Sequence, residues 1–258
     1  KNPEYYGSAY PFIKPTDMQV GQRYTYAYEE CYSEAAYEKY RKKLIPEGAT
    51  AVVTIGSIGQ KLTLTHMPCF VNQAVNAVIP NNEEFNSLYV FYLLKHNLNL
   101  VKSADTGASS GRENVSKSNF SKIQVLATLD IKEQERIAGI LDGYDSLIEN
   151  NQRRITLLDE SARLLFREWF VNLRFPGFES APLTLGIPEG WSKTAIAEQT
   201  TFLNRGITPA YNDSAPGLVI NQKCIRQGRL SMSPARRQSK EVKPERLIQK
   251  GDVLINST

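Results

Sequence analysis

The chain has 258 residues, 41% of them hydrophobic and 22% charged, so it is long enough for one large domain or two ordinary ones and too apolar for wholesale disorder. A formal net charge of +4 is too small to identify a nucleic-acid binder by itself. No run of about 18 apolar residues occurs, which argues against a membrane-spanning helix.

The chain opens on Lys1-Asn2-Pro3-Glu4-Tyr5-Tyr6, which lacks both the apolar stretch of a signal peptide and an initiator Met, so the start reads as trimmed or incomplete. Residues 1–128 are strand-rich. Ala51-Val52-Val53-Thr54-Ile55 and Ala74-Val75-Asn76-Ala77-Val78-Ile79 are short, β-branched and bounded by Gly, Asn or Pro, as buried strands are. Ser87-Leu88-Tyr89-Val90-Phe91-Tyr92-Leu93-Leu94-Lys95 reads as a helix, with Asn86 or Ser87 placed to cap it. The three cysteines, Cys31, Cys69 and Cys224, are widely scattered. With only His66 and His96 beside them they give neither metal spacing nor a disulfide framework, which predicts a reducing, cytoplasmic setting.

Residues 129–180 differ in kind. Asp130 and Glu133 form a plausible capping box. From there apolar positions step by alternating four and three residues: Ile137, Leu141, Tyr144, Ile148, Asn151, Ile155, Leu158, Ala162, Leu165 and Trp169. That spacing is a heptad seam free of proline, and a helix of ~40 residues would reach ~60 Å. Asn151 is the polar member, of the kind that fixes register at some cost in stability. The seam could face the chain's own core, as amphipathic helices commonly do, but its period is nearer 3.5 than 3.6 and its length exceeds an ordinary domain. Pairing with another helix is therefore expected. Phe175-Pro176-Gly177 should end the helix, since proline cannot continue it and glycine tolerates the turn.

Residues 181–258 restart with the turn Ile187-Pro188-Glu189-Gly190-Trp191 and a second strand-rich stretch. Gly217-Leu218-Val219-Ile220-Asn221 followed by Ile248-Gln249-Lys250-Gly251-Asp252-Val253-Leu254-Ile255 repeats, in order and approximate spacing, Tyr10-Pro11-Phe12-Ile13-Lys14 followed by Ile45-Pro46-Glu47-Gly48-Ala49-Thr50-Ala51-Val52-Val53. This weak repeat suggests two copies of one module around the helix, the second reaching only its opening. Such a cut leaves sheet edges unpaired, so missing residues or completion by another chain is expected.

In that order the pieces resemble a known family. Leu129-Asp130-Ile131-Lys132-Glu133-Gln134-Glu135-Arg136-Ile137-Ala138-Gly139-Ile140-Leu141, continuing through Asp145, Ile148 and Asn151 to Leu165-Phe166-Arg167-Glu168-Trp169-Phe170, is similar to the central conserved helix of the specificity subunits of type I restriction–modification systems. Ile187-Pro188-Glu189-Gly190-Trp191 is similar to the opening of that family's target-recognition domains. Ile13-Lys14-Pro15-Thr16-Asp17, Gly56-Ser57-Ile58-Gly59 and Asn72-Gln73-Ala74-Val75 resemble further pieces.

The resemblance implies two target-recognition domains held apart by two antiparallel helices, each domain reading half of a split duplex site. The methylation (M) and restriction/translocase (R) subunits would dock on this scaffold. S-adenosylmethionine, ATP and magnesium would belong to those partners, and this chain would hold no cofactor or metal. The sequence departs from the pattern in showing one long helix and a truncated second module, so the partner helix would come from the same subunit or from a second copy. The fold expected is α+β: a target-recognition domain at 1–128, a coiled-coil-forming spacer helix at 129–180, and the beginning of a second recognition domain at 181–258.

The chemistry of DNA reading can be sought in the residues themselves. Residues 203–252 hold ten basic side chains against four acidic ones, an excess of six that is larger than the whole chain's +4. Concentrated positive charge of this kind suits phosphate binding; a solvated basic face is the plainer reading. Base edges call for bidentate donors and acceptors on loops. The first module offers Lys14, Thr16, Arg23, Tyr24, Ser57, Lys61, Asn72, Gln73, Ser109, Ser110, Arg112 and Lys117, and the second Asn221, Lys223, Arg226 and Arg229. Asn72 and Gln73, bordering a strand, could equally cap a turn.

Enzyme readings find little. Asn2-Pro3-Glu4-Tyr5 is a loose form of an amino-methyltransferase motif, but no Gly-rich loop after a strand precedes it to hold a cofactor. Thr106-Gly107-Ala108-Ser109-Ser110-Gly111-Arg112 lacks the Gly-Lys-Ser/Thr ending of a phosphate loop. Glu38-Lys39 and Glu133 lie in helical surroundings rather than in a nuclease's strand context. A DNA reader without catalysis is therefore expected. The competing readings are a helical assembly protein that binds other proteins, or a fragment of an adenine methyltransferase.

Overall fold

The structure is a computed structural model that describes residues 2–105, 113–184, 186–226 and 228–256. The chain divides into two compact units, Lys1–Phe166 and Arg167–Thr258.

The first unit is built on two small sheets. Strand β1 (Tyr6–Ile13) pairs antiparallel with β2 (Cys31–Tyr32), and helix α1 (Glu34–Tyr40) follows. Strand β3 (Thr50–Val53) lies between β4 (Leu62–Leu64) and, beyond β5 (Phe70–Val71), strand β6 (Val75–Val78); both of its pairings are antiparallel. Strand β5 joins the first sheet instead, running parallel to β1 with Phe12 opposite Phe70 and Ile13 opposite Val71. All four residues of β3 are buried. Because successive side chains of a strand point to opposite faces, Val52 enters one core with Ile58, Leu62, Leu64, Phe91 and Val101. Ala51 and Val53 enter a second core with Ile13, Met18, Cys69 and Val75. One four-residue strand thus serves both cores, which is why its sequence reads as a continuous apolar run rather than an alternating one.

Helix α2 (Ser87–His96) starts where expected, and of the two capping candidates Asn86 is the one used: its side chain accepts from the Tyr89 amide at 3.0 Å. Short helices α3 (Leu98–Ser103) and α4 (Lys117–Phe120) close the module before α5 (Ile131–Phe166), a helix of 36 residues.

The start of α5 corrects the capping box. Asp130 caps the helix by accepting from the Lys132 amide at 3.0 Å, but its own amide donates to the Thr128 hydroxyl. Glu133 turns outward to Arg136 at 3.2 Å, so half of the box forms. In its place Gln134, with no exposed surface, ties the helix to the module. Its amide nitrogen donates to the carbonyls of Glu84 and Thr128 at 3.1 and 3.0 Å, and its oxygen accepts from the Asn86 amide at 2.8 Å. One side chain thereby satisfies three backbone groups, one of them on the residue that caps α2.

The end of α5 is also earlier than Phe175-Pro176-Gly177 suggested. A π-helical turn, Arg167–Val171, follows it, and Leu173 then takes a left-handed φ of 56°. Glu168 holds this exit, accepting from the Asn172 amide group at 2.6 Å and from Arg174 at 3.4 Å. A left-handed residue with a side chain is uncommon, so the helix stops by local side-chain bonding before the proline is reached.

The second unit contains three two-stranded pairs. Strands β7 (Leu183–Thr184) and β8 (Ile187–Pro188) pair around the Ile-Pro-Glu-Gly-Trp turn, and Trp191 stacks on Phe175 with ring centroids 5.5 Å apart. Strand β9 (Gly217–Val219) pairs with β12 (Arg236–Gln238), and between them β10 (Ile225–Arg226) and β11 (Arg229–Leu230) form a hairpin. Its buried side chains are few, Ala215, Cys224 and Gln238 among them. At the aligned glycines of the internal repeat, Gly48 and Gly251 both occupy left-handed turns, φ 80° and 101°, and a strand follows only the first among the described residues. No described helix is long and apolar enough to cross a membrane.

Replacing Gln134 with Ala leaves one amide and two carbonyls at the joint without their partner. An order-of-magnitude loss of about 3 kcal/mol in unfolding free energy is expected. Urea unfolding of the purified chain measures it, and a loss below about 1 kcal/mol would contradict this account of the joint.

Candidate nucleic-acid interface

Backbone hydrogen bonds bring four loops of the first module to one end of its sheets. Because β1 and β5 run parallel, the turn after each lies at the same end, and the Asn72 amide donates to the Ile13 carbonyl at 3.1 Å. Lys61 Nζ donates to the Pro15 carbonyl at 2.9 Å, which draws in the loop between β3 and β4. The Thr54 amide donates to Ala74 at 2.9 Å, the Val115 amide to Thr54 at 2.8 Å, and the Gly56 amide to Glu113 at 3.1 Å. The structure therefore gathers Lys14, Thr16, Ser57, Lys61, Asn72 and Gln73, with Lys117 beginning α4 two residues after Val115.

These side chains differ in what they have left to offer. Thr16, Gln73 and Lys117 are exposed, and Ser57 is half-buried. Lys14 bonds Glu29 and Glu30 at 2.5 and 3.4 Å; those carboxylates outweigh the cost of burying the ammonium and raise its pKa. Asn72 uses its side-chain oxygen within the turn, accepting from the Ala74 amide at 2.9 Å. Ser109, Ser110 and Arg112, with the Gly- and Ser-rich segment around them, lie outside the described residues.

Arg23 and Tyr24 take a different place from the one the sequence suggested. Arg23 is 6% exposed. Its guanidinium contacts Asp142, donates to Glu149 at 2.9 Å and to Ser146 at 3.2 Å, and lies over the Tyr24 ring at 4.6 Å. Burial is the largest single influence and opposes the charge, yet the bond to Glu149, the charge of that carboxylate and the nearby Tyr24 and Tyr92 together outweigh it and the pKa rises. Lys95 on α2 repeats the arrangement with Asp145 at 2.9 Å. Beside that pair the Tyr92 hydroxyl is pushed up to about 12, by burial first and by Asp145 second. Arg23 is therefore a fastener between module and helix, and the correction follows from its burial: a guanidinium held by helix carboxylates is not presented to a base. Tyr24 and Tyr26 border an open cleft of about 650 Å³ between that loop and the helix, with Gln22, Asn150 and Arg153.

The joint uses one face of α5: Gln134, Ala138, Asp142, Asp145 and Glu149, at helical spacing. The heptad seam lies on another. Ile137 is half-buried, whereas Leu141, Tyr144, Ile148, Asn151, Ile155, Leu158, Ala162, Leu165 and Trp169 are exposed, Leu158 at 67%. The first unit's own core does not cover the seam. Sequence reading found the seam but not the joint on the neighbouring face. The available signal was an acidic row, Asp142, Asp145 and Glu149, at three- and four-residue steps.

In the second unit Lys223, Arg226 and Arg229 are exposed, and the two arginines face each other across the β10–β11 hairpin. Asn221 has a structural use, accepting from the Lys223 amide and donating to the Pro234 carbonyl, both at 2.8 Å. Other cations of the basic stretch also brace the backbone. Arg237 donates to Ala215 at 2.9 Å, Lys240 to Thr208 at 3.1 Å, and Arg246 to Arg205 at 3.2 Å.

A module with clustered polar loops, bolted to a long helix that keeps an open apolar seam, has counterparts among known proteins. The profile of the type I restriction modification DNA specificity domain matches residues 1–160, and the chain belongs to that family. It is similar to the specificity subunit of the type I restriction enzyme MjaIX of Methanocaldococcus jannaschii, 26% identical over 76% of this chain and 46% of that subunit. It is also similar to the HindI specificity subunit of Haemophilus influenzae, 32% identical over 48% of this chain and 27% of that protein. The chain thus spans less than half the length of these relatives. Among solved structures, the S subunit of a type I system from M. genitalium aligns with a TM-score of 0.46 and 17% identity, over 68% of this chain and 46% of that one.

A double-mutant cycle checks the fastener. Arg23→Met and Glu149→Gln should be non-additive in unfolding free energy by about 1 kcal/mol, the modest size reflecting the partly exposed carboxylate. Additivity to within about 0.3 kcal/mol would remove Glu149 from the joint.

Proposed function

We propose that this chain recognises duplex DNA by sequence as the specificity subunit, or part of one, of a type I restriction–modification complex, and performs no catalysis itself. The observation that carries the reading is the convergence of four polar loops at one end of a module that belongs to the DNA specificity domain family. Thr16, Ser57, Gln73 and Lys117 are the side chains best placed to meet base edges or nearby phosphates, with Lys223, Arg226 and Arg229 as counterparts in the second unit. Helix α5 is the spacer, and its exposed seam takes a second helix, from the same subunit or another copy. Methyltransferase and restriction/translocase subunits dock on this scaffold and bring S-adenosylmethionine, ATP and magnesium with them. The setting is the cytoplasm.

Selection from a random duplex library by the purified chain, alone and with its methyltransferase partner at two salt concentrations, tests the proposal. A defined motif is expected: two parts at fixed spacing from a complete reader, one part from a half-reader. Charge reversal at Arg226 and Arg229 should weaken binding across all sequences, whereas Gln73→Ala or Thr16→Ala should change which sequences are preferred. No enrichment under any condition would defeat the DNA-reading proposal and favour an assembly protein.

A further inference from the structure

Most cations nominated for DNA contact in the first module are already in use. Lys14, Arg23 and Lys61 are each bonded to a carboxylate or a carbonyl within the unit. A different group is not. Lys39, Arg41, Lys42 and Lys43, at the end of α1 and in the 3-10 turn Arg41–Lys43 that follows, are all exposed, and none pairs with a carboxylate among the described residues. The nearby acids are otherwise placed: Glu34 accepts from the Tyr10 hydroxyl at 3.2 Å, Glu4 from the Asn2 amide group at 3.4 Å, and Glu38 is exposed without reaching these cations.

Three of the four, Lys39, Arg41 and Lys43, are positioned by aromatic rings, and Lys42 lies exposed between two of them. Lys39 donates to the Tyr5 hydroxyl at 2.6 Å and lies 4.7 Å from that ring's centroid. Arg41 lies 5.9 Å from the Tyr37 ring, and Lys43 5.7 Å from Tyr40. Tyr5 and Tyr40 pack edge to face at 5.7 Å, which anchors the ridge to the start of β1. A ring face attracts a cation without neutralising it, so the ridge holds its charges in place and leaves them available. Ion pairing would have cancelled them.

We propose that this basic–aromatic ridge is the phosphate grip of the first module, holding the backbone of the duplex whose bases the loop cluster reads. The proposal rests on the reading of the chain as a duplex reader and adds where the backbone is held. The ridge is anchored through Tyr5 and Tyr40 at the foot of β1, on a segment separate from the loops that follow Ile13 and Val71. Unpaired cations held on ring faces outside the loop cluster suit the phosphates flanking the base edges that the loops would read. Contacts of this kind fix register and orientation and carry no sequence information.

The test is the salt dependence of duplex binding by the full chain, followed by fluorescence anisotropy with a labelled duplex. The ridge variant is Arg41→Gln, Lys42→Gln and Lys43→Gln. A control of equal charge loss, Arg153→Gln, Arg154→Gln and Arg163→Gln, lies on exposed positions of α5. Since each phosphate contact contributes about 0.9 to the slope of log K against log salt, the ridge variant should lose up to roughly 2.7 of slope, equally for every duplex sequence, while the control keeps the wild-type slope. Lys42→Gln alone should lose about 0.9. An unchanged slope in the ridge variant, an equal loss in the control, or a changed sequence preference at constant slope would each overturn the ridge assignment and leave the duplex reader intact. Absence of any duplex binding by the wild-type chain would overturn the functional reading and the ridge with it.

Discussion

Everything in the first unit depends on how a polar joint is kept satisfied while it is buried. Gln134 sits with no exposed surface and Arg23 with little, in places where an unmatched amide or guanidinium would cost more than most single contacts return. The glutamine is matched by three backbone groups on two other segments, and the arginine's charge by Asp142 and Glu149 with Ser146 beside them, although its Nε has no hydrogen-bond partner among the described residues. An apolar joint would have let the module slide along or roll about the helix at little cost. Directional bonds at two points along α5 fix both the rotation and the axial position of the module on the helix.

The same joint divides the labour of α5. Its module-facing side is acidic and small, taking Lys95 and Arg23, and its apolar seam lies on a separate side. The seam is therefore available to another helix without disturbing the grip on the module. The recognition loops sit on the far ends of strands whose inward residues fill two cores, so they can vary in side chain without altering the packing beneath them.

How much of this could be read from the sequence varied with the physics involved. Strand β3, helix α2 and its Asn86 cap, and the long helix were legible because each rests on local propensity or periodicity. The family was legible because its motifs keep their order. The joint was not: Arg23 reads as a loop arginine, and Asp142 and Glu149 as solvated charges, until the chain closes across more than a hundred residues. The half-formed capping box failed for a related reason, since Thr128 competes for the Asp130 amide and Arg136 for Glu133. The ridge is not legible in the sequence because Lys39 reads beside Glu38 as a possible nuclease fragment, while Tyr5, which bonds Lys39 and packs on Tyr40, comes from a segment that sequence alone does not place beside it.

The distal half of α5 carries a consequence of its own. Every residue from 150 to 166 is exposed, so that stretch buries no side chain against the first unit's cores. Most helical stability in proteins comes from packing an amphipathic face, and this stretch continues α5 with its apolar face open. A helix laid along the seam would supply helicity to this stretch as well as cover it, so its stiffness and its pairing would rise together. Substitutions that raise intrinsic helix propensity there would strengthen pairing without touching a single interfacial contact.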